Sequence, residues 1–218
     1  MKDLRILIIG FLVGVAAVSG FTIFKTQEQS PAKVVEETSP TSTFSIEPAP
    51  SASIKGTITD RQGELLWESR VATEPAKLLD NVLIQQGERL VTGVDGSVAI
   101  DFPRVGSISL GEDSDLSFIQ TLPVNFVVKQ TKGIVKYEIE GDVPLSIRIR
   151  SAILIKDNGI VEVTVTEGDS LISIALLEGT ATIGFNDLEY VSRVFNLREG
   201  ETYEYDSDQR TAINIKNK

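Results

Sequence analysis

The sequence predicts an all-β fold: a twisted β-solenoid or sandwich-like domain of short strands, preceded by one N-terminal transmembrane helix. Three observations carry this. From Ile54 onward the apolar residues recur with period two, the spacing of a strand with one buried face. Glycines separate the runs, as at Gly87, Gly133, Gly168 and Gly200, where a chain reverses or bends. At the other end, Ile6 to Phe24 contains no charged residue, bounded by Arg5 and Lys25.

As a helix that run spans roughly 28 Å, close to the ~30 Å hydrocarbon core of a bilayer. Lys2 and Arg5 precede it and an acidic stretch follows, so the positive-inside rule leaves residues 1–5 in the cytoplasm and exports the rest. The expected place is the cell membrane, single-pass, with the domain extracytoplasmic. A cleaved signal peptide is the competing reading, with Ala17-Val18-Ser19 as its small-residue site. Against it, Phe21, Ile23 and Phe24 continue the apolar run. Gly10 and Gly14 stand one helical turn apart within the span, a spacing that lets two membrane helices pack closely.

Residues 25–52 read as a solvated linker. Pro31, Pro40, Pro48 and Pro50 with Glu36-Glu37 oppose compact packing, and no apolar period is visible. Phe44 and Ile46 are too few to make a docking segment on their own.

The domain is expected over residues 53–216. Ile54–Thr59 and Glu64–Glu68, around the turn Asp60-Arg61-Gln62-Gly63, read as an opening hairpin. Trp67 reads as a core or rim residue at one end of the sheet. Thr73-Glu74-Pro75 is the one good helix start, giving a turn or two up to Asn81. Leu83 to Ile119 then reads as three short strands separated by glycine turns. In its middle Val98, Ile100 and Phe102 share one face, and Ser97, Ala99 and Asp101 the other. Further strands follow at Val124–Lys129, Ile134–Glu140, Leu145–Ile149, Ala152–Ile155, Val161–Val165, Ile172–Leu176, Ala181–Phe185, Val191–Leu197, Thr202–Tyr205 and Ala212–Ile215. Asp157-Asn158-Gly159 reads as a hairpin turn between two of them, because Asn and Gly accept positive φ. Gly87-Glu88, Gly168-Asp169 and Gly200-Glu201 make a loose repeat of turn plus strand without a fixed period.

The order of parts in the central stretch resembles the FecR-like domain. Gly87-Glu88 ends a strand, Thr92-Gly93 turns, Ser97 opens a strand, Gly106-Ser107 turns again, and Ser114-Asp115-Leu116 follows in the family's manner. The resemblance covers roughly residues 54 to 206. It implies the extracytoplasmic β domain of a membrane-anchored bacterial regulator, with a solenoid-like arrangement. Two departures limit it. Residues 1–5 are too few to hold a sigma factor, so the cytoplasmic anti-sigma part is lacking. Pro103-Arg104-Val105 also stands where the family's Asp precedes the Gly-Ser turn.

Composition excludes more than the motifs add. The chain has 218 residues, no cysteine and no histidine. Thiol nucleophiles, Ser-His-Asp catalysis and His- or Cys-ligated metals are therefore impossible within it. A net charge of −10 argues against nucleic acid. Glu112, Asp113 and Asp115 cluster after Gly111, but without EF-hand spacing they read as a solvated turn rather than a calcium site. Asp206 and Asp208 are a weaker case of the same. Glu138 and Glu140 could serve glycoside hydrolysis, yet positions two apart on one strand are usually a wet sheet face. Arg148, Arg150 and Lys156 read as a solvent-facing basic strip.

The expectation is thus a non-enzymatic, membrane-anchored extracytoplasmic module that binds or scaffolds, without cofactor or metal. Its partner would be a protein or an envelope polymer. The alternatives are a carboxylate-based cell-wall hydrolase and a structural element that polymerises through its strand edges.

Overall fold

The computed structural model describes residues 52–215. Among them there is no helix. The strands are β1 (Gly56–Gln62), β2 (Leu65–Glu68), β3 (Ala76–Lys77), β4 (Leu83–Ile84), β5 (Arg89–Thr92), β6 (Ser97–Phe102), β7 (Gly106–Leu110) and β8 (Asp115–Leu122). Three long strands follow, with short ones between and after them: β9 (Asn125–Ile139), β10 (Leu145–Ile149), β11 (Ala152–Val165), β12 (Leu171–Asn186), β13 (Ser192–Leu197), β14 (Thr202–Asp206) and β15 (Thr211–Ile215).

All fifteen strands are hydrogen-bonded into one open sheet that folds over on itself. The long strands make the fold, because each serves two layers. Residues 133–139 of β9 pair with β7 and with residues 159–165 of β11. Residues 125–132 of β9 pair instead with β8 and, in the one parallel ladder, with β10. β11 and β12 divide in the same way. The first layer therefore runs β4-β1-β6-β7-β9-β11-β12-β14-β15. The second runs β3-β2-β5-β8-β9-β10-β11-β12-β13.

Inward residues of both layers meet in one core. Phe102 of the first layer lies 5.3 Å from Phe118 and 4.9 Å from Phe126 of the second, ring centre to ring centre. Phe185 and Tyr205 make the same contact at the far end, at 4.9 Å. Edge-on and tilted ring pairs of this kind add to the stabilisation from burial alone. Val98, Ile100 and Phe102 are buried, as their alternation requires.

Glycine sets the bends. Gly133, where β9 changes layer, has φ +88, and a Cβ there would stand 2.2 Å from the Ser114 hydroxyl oxygen. Gly159 and Gly179 face each other across the β11–β12 ladder, with φ +91 and +81.

Several sequence expectations need correction. Thr73–Asn81 forms no helix. Ala76 and Lys77 pair with Trp67 and Leu66, and the Leu78 amide donates to the Leu65 carbonyl. So short a segment cannot offset the cost of nucleating a helix, whereas this edge pairing buries Leu78. β1 and β2 are not a hairpin: Gly63 turns the chain from one layer to the other, and the two strands take different partners. Asn158-Gly159 does not reverse the chain. It bends one continuous strand, β11, at a register shift. β9 and β12 likewise each join two segments expected as separate strands. Leu83 to Ile119 holds five strands rather than three, since β4 and β5 precede β6 and β8 has begun.

Candidate functional site

Of the carboxylates singled out by sequence, Asp113, Asp115, Glu138 and Asp206 are already engaged. Asp115 is buried and accepts two hydrogen bonds from Arg89, at 2.8 and 2.7 Å. Arg89 also reaches Glu68 at 3.0 Å. Asp115 foremost holds the guanidinium above its ordinary pKa. Asp113 pairs with Lys132 at 2.7 Å, and Lys132 also approaches Glu167 at 3.3 Å. Glu112 is exposed, and its carbonyl accepts the Ser114 hydroxyl. Asp113 and Asp115 thus take different cationic partners, and among the described residues no cluster is placed to hold a metal ion. Arg89 and Lys132 line a groove of about 750 Å³ with Lys129, Arg150, Asp115 and Glu167. Its two carboxylates are paired with Arg89 and Lys132, Arg150 donates to the Ser207 hydroxyl and the Thr166 carbonyl, and Lys129 is in no ion pair of the described residues. Asp206 accepts the amides of Asp208 and Gln209 and closes the turn before β15.

Glu138 and Glu140 line a second hollow of about 460 Å³, with Glu178 and Glu199 on its rim. Glu138 pairs with Lys136 of its own strand at 3.3 Å. At the base of the hollow is a residue that the sequence reading misplaced. Lys156 is fully buried, not part of an exposed strip with Arg148 and Arg150. Its ammonium donates to the carbonyls of Asn158, Glu178 and Thr180, the last two at 3.0 and 2.9 Å. These carbonyls flank Gly159 and Gly179, where β11 and β12 bend, so the lysine ties the two bends together. Desolvation pulls its pKa below the usual lysine value, opposed by Asp157, Glu178 and Glu199. The signal was present, since Lys156 shares parity with Ala152 and Leu154. It was hidden because Ile153 and Ile155 are apolar too.

Trp67 lies at the rim, packed against the core. Its indole N–H donates to Glu88 at 3.2 Å, and the Gln85 amide donates to the same oxygen at 2.9 Å. Burial is the largest influence on Glu88 and raises its pKa. Gly87, Gly168 and Gly200 of the loose repeat all have positive φ and precede β5, β12 and β14.

The two ends of the folded sheet differ. At one end the layers finish in β3 and β4, two residues each. At the other they finish in β13 and β15. Among the described residues β13 pairs only with β12, and β15 only with β14. The single charge on β13, Arg193, is tied to Asp187 at 2.8 Å, and β15 has none. Leu188, Tyr190, Val191, Val194, Phe195 and Ile213 are exposed there. Sheets normally protect such edges with charge, proline or a cover.

No helix among the described residues is long and apolar enough to cross a membrane. The span 6–24, with Gly10 and Gly14, lies outside the described residues, as does most of the linker.

Two solved structures share the fold. Both are crystal structures of proteins assigned as anti-sigma factors from Parabacteroides distasonis, at 2.50 and 1.65 Å resolution. Each superposes with a TM-score of 0.50, at 13% and 12% identity, over 58% of this chain. The chain spans 58% of the length of each. At that identity the likeness is one of fold. No family model matches the chain, and no curated protein does.

Proposed function

We propose that this protein is a membrane-anchored, extracytoplasmic binding or scaffolding module of FecR-like type, serving envelope sensing rather than catalysis. The observation that carries the reading is the uncovered end of the sheet. Among the described residues β13 and β15 have no strand on their outer side, beside exposed Val194, Phe195 and Ile213. An extended segment of a partner would continue either layer by strand addition, with main-chain hydrogen bonds for affinity and side-chain pockets for selectivity. The shared fold with proteins assigned as anti-sigma factors supports a regulatory setting. The apolar run at 6–24 supports the anchor. The absence of cysteine and histidine, and the engaged state of Asp113, Asp115 and Glu138, support binding over chemistry.

Crosslinking on intact cells, with a tag at the C-terminus and identification of what is captured, tests this. An envelope receptor or a membrane-embedded regulator is the expected product. Recovery of wall polymer alone would make the domain a scaffold and remove the regulatory role.

The same edges favour one second reading, assembly of copies of this chain through strand pairing. Sedimentation over a range of concentrations separates the two. Growth of the sedimentation coefficient with concentration supports assembly, and a constant monomer rejects it.

A further inference from the structure

The two outer faces of the folded sheet differ in charge. On the first layer the outward positions include Asp101, Glu138, Glu162, Glu204 and Asp206, against Lys136. On the second layer, from β9 to β13, the paired outward positions contain no carboxylate. One ladder runs Lys129, Arg148, Ile153, Gly184 and Val194 across the strands. A neighbouring one runs Val127, Ser146, Ile155, Thr182 and Asn196.

Lys129 and Arg148 stand directly opposite each other, an arrangement that like charges disfavour. Both are exposed, and neither is among the ion pairs of the described residues. Beside them Ile153 and Ile155 are 43% and 46% exposed, and Val194 at the border 67%. A face with two cations outside any ion pair and exposed aliphatic groups is complementary to a surface that is both anionic and apolar beneath, although the chain as a whole carries a net charge of −10.

We infer that the outer face of the second layer, centred on Lys129, Arg148, Ile153 and Ile155, docks on the anionic lipid headgroups of the bilayer. The cations meet phosphates while the aliphatic side chains enter the headgroup boundary. The acidic first-layer face is turned away by repulsion, so docking gives the domain one orientation. The lipid surface is favoured over an acidic protein because the proposed anchor keeps the domain beside it. Docking leaves the edges of β13 and β15 directed sideways, along the membrane plane. The inference rests on the proposed anchor, which keeps the domain within reach of the surface.

The test uses the full chain, which has no native cysteine to compete with a label. It is reconstituted in nanodiscs of phosphatidylcholine, with or without phosphatidylglycerol. Ile153→Cys or Ser173→Cys, the latter on the opposite face, carries a fluorophore that lipid-bound nitroxide quenches. At position 153 quenching is expected to rise about twofold or more when the anionic lipid is present, and at position 173 to stay low. Lys129→Gln with Arg148→Gln is expected to return position 153 to its value in neutral discs. Equal quenching at both positions, or indifference to lipid charge or to the paired substitution, overturns the inference. The anchor is read separately, as retention on the discs in alkaline carbonate. If retention fails, the anchor is wrong, and the same probes read against added anionic vesicles still decide the face.

Discussion

At the residue scale, two buried ionisable groups carry opposite lessons. Lys156 donates to three main-chain carbonyls beside the bends of β11 and β12. Replacing it with Met keeps the packing volume and removes every donor. Lys156→Met is expected to cost about 2–4 kcal/mol in urea unfolding, from carbonyls left desolvated and unpaired. A change under 0.5 kcal/mol would show that water replaces the ammonium freely. Glu88 is the pH-dependent case. Its pKa is raised above 4.5 in the folded chain, chiefly by burial. Between the unfolded and folded values the native state therefore binds more protons than the unfolded one. That contribution to stability grows as pH falls from neutral through the folded pKa and shrinks as pH rises. Glu88→Gln is expected to flatten this component in thermal melts recorded at a series of pH values. Asp187 and Asp206 act in the other direction: backbone amides lower their pKa, so their contribution is lost as pH falls through their folded values.

At the element scale, the fold depends on strands that bend rather than turn back. Gly133 and Gly168 both have positive φ, yet they do different work. A Cβ at Gly133 would collide with Ser114 at 2.2 Å, while at Gly168 nothing lies within 4 Å. Gly168→Ala is expected to cost about 1–2 kcal/mol, the left-handed penalty alone. Gly133→Ala is expected to cost at least about 3 kcal/mol, since backbone must also move. Paired chemical denaturation curves check the ranking, and equal costs would mean that Ser114 yields. This contrast also marks what was legible in the sequence. Period-two alternation located the strands because it reports only which side is buried, and Val98, Ile100 and Phe102 follow it. Glycine located the places of positive φ. Neither says whether the chain reverses or continues after such a residue. That depends on the facing strand, as with Gly179 opposite Gly159, some twenty residues later. The hairpins expected at Gly63 and Gly159 failed for this reason. The helix expected at Thr73 failed because its capping signal is local, while the pairing of Ala76 and Lys77 with β2 is not. The exposed face of Ile153 and Ile155 was hidden within a run of four apolar residues whose parity only the ladder decides.

At the scale of the whole molecule, the folded sheet is asymmetric in two ways. One end is closed by two-residue strands, and the other ends in β13 and β15 without protective charge. One outer face is acidic, and the other is cationic and apolar. The end asymmetry is the basis of the proposed binding role. A charge placed on the free edge should abolish strand addition while leaving the core alone, because edge lysines block pairing. Val194→Lys is therefore expected to reduce partner capture, or self-assembly if the partner is a second copy, with thermal stability changed by less than about 1 kcal/mol. In the proposed role a partner adds to the edge at β13. The most direct measurement places a photo-activatable residue at Val194, and in a parallel strain at Ser109 on the outer face of the first layer, and illuminates intact cells. The account expects a covalent adduct with a second protein from Val194 and none from Ser109. No adduct from Val194, or equal adducts from both positions, would contradict it.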